Sequence, residues 1–64
     1  MEEEIILRPK YRKGQRVRVV TSAGTINGNI EGITTHKGKL VYDIGTKTKN
    51  YFVFESQILK LIQS

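Results

Sequence analysis

The most regular stretch of the chain is residues 16–21, RVRVVT, where charged and apolar side chains alternate. A period of two sends successive side chains to opposite faces of a strand, so this segment predicts a half-buried strand with Val17 and Val19 inward. Lys13-Gly14-Gln15 before it and Ser22-Ala23-Gly24 after it read as turns, and Gly24 can supply a positive φ. Residues 25–34, TINGNIEGIT, form a longer second strand in which Ile26 and Ile30 share a face. Gly28 and Gly32 are four residues apart within it, and strand glycines mark bulges or sharp bends. Ile33 is displaced by one from the Ile26/Ile30 parity, which fits a bulge near Gly32. Such a strand coils strongly, the geometry by which a small sheet closes on itself.

The polar stretch from His36 to Lys39 predicts a hairpin turn, followed by a third strand over residues 40–45 with Leu40, Tyr42 and Ile44 on one face. Residues 46–50, TKTKN, are a basic turn. Residues 51–54, YFVF, are a fourth strand, apolar on both faces. Residues 55–57 form a short turn or one turn of 3₁₀ helix, and residues 58–62, ILKLI, a closing fifth strand. Turns recur about every 8 to 12 residues, and no window carries the apolar spacing of a long helix. The expected architecture is therefore all-β and five-stranded. Residues 1–10 are an N-terminal arm or an added edge strand, and residues 11–64 are the domain. Pro9 prevents the arm from continuing as a helix.

The 64 residues suffice for one domain, which at this size buries only about 60% of its unfolded surface. The chain has no cysteine and one histidine, so disulfides, thiolate metal sites and a structural zinc centre are not expected. No segment reaches the roughly 18 apolar residues of a membrane span, and the acidic start is unlike a secretory signal. No Asn-x-Ser/Thr site occurs, and a cytoplasmic protein without membrane partners is the expectation.

Charge adds a functional direction. The net charge is +5, and three of the six acids sit at Glu2, Glu3 and Glu4. Six bases and no acid lie between Arg8 and Arg18, and Lys37, Lys39, Lys47 and Lys49 follow. A field of one sign that survives folding draws polyanions. On the predicted first strand, Arg16 and Arg18 share the face opposite the valines, about 7 Å apart. With Lys10, Arg12 and Lys13 leading in, they make a stripe that can follow a phosphate backbone. The plainer alternative is a solvated strand face with Glu31 or Glu55 as counter-charges. In the fourth strand, Phe52 and Phe54 face one way and Tyr51 and Val53 the other, so one pair lies outside or at an interface unless curvature tucks all four inward. Exposed rings beside basic loops suit single-stranded nucleic acid, and they equally suit a protein interface. The candidate nucleic-acid contacts are Arg12, Lys13, Arg16, Arg18, Lys37, Lys39, Lys47 and Lys49 for phosphate, with Tyr51 or Phe52 for a base.

Catalysis finds no support. His36 sits in a polar turn, Asp43 is expected to face solvent beside a basic neighbour, and the serines have no His/Asp partners. The glycines do not form a phosphate loop. No cofactor, metal or small-molecule substrate is expected.

Over residues 11–62 the order of elements resembles the SH3-like barrel superfamily. The resemblance is carried by KGQRVRV and GNIEGI, which look like the G-x-x-V-x-V … G-x-I/V pattern of KOW-type small barrels, and by the closing YFVFESQI. It implies an SH3-like barrel. The layout is also similar to type II dihydrofolate reductases, but their Val-Gln-Ile-Tyr motif is replaced here by Tyr51-Phe52-Val53-Phe54, so no folate or nicotinamide contact carries over. It is similar, too, to the small SH3-like subunit of photosystem I, a docking protein. Free-standing barrels of this kind are frequent among phage and plasmid proteins. The resemblance leaves two roles open: a nucleic-acid-binding module, or a protein-interaction or assembly subunit.

Overall fold

A computed structural model describes residues 8–63. Five antiparallel strands form a single sheet: β1 (Arg16–Thr21), β2 (Gly24–His36), β3 (Lys39–Gly45), β4 (Asn50–Phe54) and β5 (Ile58–Gln63). A single 3₁₀ turn, Glu55–Gln57, precedes β5. The spatial order is β4-β3-β2-β1-β5, so the chain meanders through four strands and returns its last beside the first. Of the N-terminal arm or edge strand expected over residues 1–10, residues 1–7 lie outside the described residues and residues 8–10 are not in a strand. Among the described residues no helix is long and apolar enough to cross a membrane.

The alternation of the sequence decides what lies inside. Val17 and Val19 of β1 are buried with Ile30, Tyr42, Ile44, Val53 and Ile58, and Tyr11, Ile26, Ile33, Leu40 and Tyr51 pack around them. The expected bulge lies between Ile30 and Gly32: Ile30 pairs with Ile44 and Gly32 with Asp43, which leaves Glu31 unpaired. This extra residue resets the parity of β2, so that Ile30 and Ile33 both turn inward. At Gly28 the strand passes so close to β3 that a Cβ would lie 2.8 Å from the Gly45 carbonyl oxygen. The Lys37-Gly38 corner has φ of 51° and 78°, the left-handed pair demanded by a two-residue hairpin.

The interior contains one deliberate polar arrangement. The Tyr42 ring is buried, and its hydroxyl donates to Glu55 Oε2 at 2.7 Å. The Lys10 backbone N–H donates to the same carboxylate oxygen and to Tyr42 Oη, each at 3.1 Å. Burial, followed by donation to a carboxylate, pushes the Tyr42 phenol up to about 12. The phenol, with the Lys10 N–H, holds the Glu55 carboxyl below its ordinary value. The latch joins the segment before β1, the centre of β3 and the 3₁₀ turn. Gln57 completes the closure by donating from Nε2 to the Val20 carbonyl of β1 at 2.9 Å.

Candidate functional site

Arg16 and Arg18 point away from the valines and stand opposite Asn29 and Asn27 across the β1–β2 ladder. Arg18 Nε donates to Asn27 Oδ1 at 3.0 Å, and Arg16 Nη1 to Asn29 Oδ1 at 3.4 Å. On the other side of β1, Arg18 is opposite Lys60 and Arg16 opposite Gln63. Two rows result, Asn27–Arg18–Lys60 and Asn29–Arg16–Gln63, and neither contains a carboxylate.

The counter-charges that the sequence offered are engaged elsewhere. Glu31 Oε1 accepts from Asn50 Nδ2 at 2.8 Å, and Glu55 belongs to the Tyr42 latch. Asp43 also differs from expectation. It is half-buried and accepts from Asn50 Nδ2 at 2.8 Å, so its partner is an amide and not a base. Lys60 is a residue that the sequence reading missed as a candidate. Its place opposite Arg18 depends on β5 returning beside β1, a long-range pairing that no local pattern carries.

Beside these rows lies an open groove of about 650 Å³. It is lined by Arg16, Asn27 and Asn29 on the β1–β2 side, by Thr46, Lys47 and Thr48 of the β3–β4 loop, and by the half-buried Ile26 and Tyr51. Thr46 shapes the loop. Its Oγ1 donates to the Lys49 carbonyl at 2.7 Å and accepts from the Thr48 and Lys49 N–H groups at 3.3 and 3.2 Å. The turn is closed on its own side chain, and Lys47 and Lys49 are exposed. The Lys49 ammonium lies 5.0 Å from the centroid of the Tyr51 ring, a cation–π distance. Glu31 also lines the groove and is its one carboxylate.

No protein-family model matches the chain, and neither does a curated protein or a solved structure.

The structure brings Arg16, Lys47 and Tyr51 together at the groove, with Lys49 over the Tyr51 ring and Arg18 in the adjoining row. Arg12 and Lys13 stand in the exposed turn before β1. Gly14 N–H donates to the Ile30 carbonyl at 2.8 Å, which holds that turn against β2 one residue from Asn29. Phe52 is elsewhere. It is 69% exposed on the outer face of β3 and β4, which it shares with Phe54 and Val41. Those three side chains, with Thr34 and His36, line a second cleft of about 330 Å³. Lys39 lies 5.8 Å from the Phe54 ring, and Lys37 occupies the hairpin corner nearby. Tyr51 and Phe52 therefore serve opposite faces, so a single base cannot contact both rings. Among the described residues no group of three His, Asp or Glu side chains converges as a metal site would require.

Proposed function

We propose that the protein is a non-enzymatic nucleic-acid-binding module of the cytoplasm, built as an SH3-like barrel. The long bulged β2, the β4-β3-β2-β1-β5 order and the 3₁₀ turn before β5 support the barrel assignment. The observation that carries the function is the direct opposition of Arg18 and Lys60 in rows completed by neutral amides. Like charges directly across a sheet destabilise it, and an anion laid over them removes that cost. The rows lead into a groove where Arg16, Lys47 and Tyr51 offer charge and a ring at one place. Arg12, Lys13 and Arg18 extend the phosphate track. Titration of labelled oligonucleotides at two salt concentrations tests the reading: binding at micromolar protein and low salt that weakens steeply with salt supports it, and no binding at low salt ends it.

A second reading rests on a separate observation. Phe52 and Phe54 are exposed beside Val41 on the outer face of β4, an apolar surface suited to a protein partner or a second copy, as in an assembly subunit of phage or mobile-element origin. Size exclusion with light scattering over a concentration series tests self-association there.

A further inference from the structure

The nucleic-acid reading leaves open whether the ligand is paired or unpaired. We infer that, given that reading, the groove is built for a single strand: one unpaired base enters it against Tyr51, displacing the Lys49 ammonium from over the ring, while Arg16, Lys47 and the displaced Lys49 hold the flanking phosphates. Three observations lead there.

The first is the depth of Tyr51. Its ring packs against the core beside Ile26 and Val53 and is only half exposed, so a flat group must enter the groove to reach it. In a duplex the faces of the bases are covered by their neighbours, and a protein stacks on a base only where that base is unpaired. A recessed ring therefore selects a single strand, whereas a purely cationic surface accepts either form.

The second is the division of labour around the ring. Lys49 sits over Tyr51, and Lys47 and Arg16 line the same groove from opposite walls. Cations bracketing one aromatic ring match the repeat of a single-stranded backbone, where phosphate flanks each splayed base. The third is the pair Asn27 and Asn29. Each uses its carbonyl oxygen to accept from an arginine, which leaves its NH₂ group as a donor at the groove wall. Carbonyl oxygens on base edges accept such donors, and so do phosphates.

The experiment uses the full chain and four fluorescent 12-mers at low salt: oligo-dT, oligo-U, a mixed-sequence DNA duplex, and a DNA backbone of the same length without bases. The expected result is that oligo-dT or oligo-U binds about tenfold or more tightly than the base-free backbone, the scale of one stacked base. The duplex should bind more weakly than the better single strand. The comparison of oligo-dT with oligo-U says which sugar the groove prefers. Tyr51→Leu should bring single strand and base-free backbone to within about twofold of each other, and circular dichroism checks that this variant remains folded. Equal affinity of the unaltered protein for single strand and base-free backbone overturns the single-strand inference, as does tighter binding of the duplex, while either leaves the functional reading standing. Failure of all four to bind overturns both.

Discussion

Tyr42 carries a phenol into the interior, and the chain meets its polar requirement with Glu55 and the Lys10 N–H. The two members of this latch respond to pH in opposite directions. The folded phenol keeps its proton beyond the ordinary tyrosine value of about 10. Its contribution is whole below that value and is lost as pH rises toward about 12. The folded Glu55 carboxyl releases its proton more readily than an unfolded one, so its contribution is present above the ordinary range, near 4.3, and fades as pH falls below it. Tyr42→Phe should cost about 1 kcal/mol near neutral pH, a fall of roughly 4–8 °C in Tm for a domain of this size. The gap in Tm between the two proteins should narrow toward both ends of the range from pH 3 to 11; a constant gap would show that the hydroxyl stabilises the fold in some other way. At the groove, Glu31 is a single negative charge among cations. Glu31→Gln keeps an acceptor for Asn50 and should tighten nucleic-acid binding several-fold, read by the same titrations.

At the scale of the elements, the bent second strand is the decisive one. Gly28→Ala would force a Cβ against the Gly45 carbonyl, where two backbones meet and neither can rotate away. Such overpacking costs about 1–3 kcal/mol. The thin stability margin of so small a domain makes that loss visible as a strongly lowered Tm. Lys37 is the opposite case. It adopts a left-handed φ that asparagine tolerates better, so Lys37→Asn should raise Tm by about 2–4 °C. The bend and the bulge of β2 were legible in the sequence: glycines inside an apolar strand announced the first, and the displaced Ile33 announced the second. The inward residues of β1 and β3 and the outward stance of Arg16 and Arg18 followed from alternation alone. What alternation could not decide was which face of YFVF is buried. Tyr51 and Val53 face inward because the β3 register sets them opposite Ile44 and Tyr42, and that register is a tertiary fact. The neutral partners of the arginines escaped for the same reason, since Asn27 and Asn29 lie across a ladder and not nearby in a pattern.

For the whole molecule, the distribution of charge matters more than its total of +5. If about five phosphates are neutralised by the groove and the adjoining rows, log affinity for a single strand should fall with log salt at a slope of roughly −3 to −4. Lys60→Gln separates binding from stability. It removes a like-charge opposition from the β1–β5 ladder, so Tm should hold or rise slightly, while affinity falls and the slope becomes shallower by about 0.7. A variant that loses both stability and affinity would mean that Lys60 supports the sheet.

The strand order has one more consequence. Among the described residues the sheet ends in two different borders, β4 on one side and β5 on the other. If copies joined β4 to β5, every addition would leave a fresh border at each end, and the array would lengthen unless the rotation between copies closed it into a ring. A five-residue β4 offers little template, and the Lys60 ammonium breaks the run of Ile58, Leu59, Leu61 and Ile62 on the other border. Replacing that lysine by valine should therefore promote thioflavin-positive fibres, and a variant that stays as dispersed as the unaltered protein would show that the lysine does not guard this border.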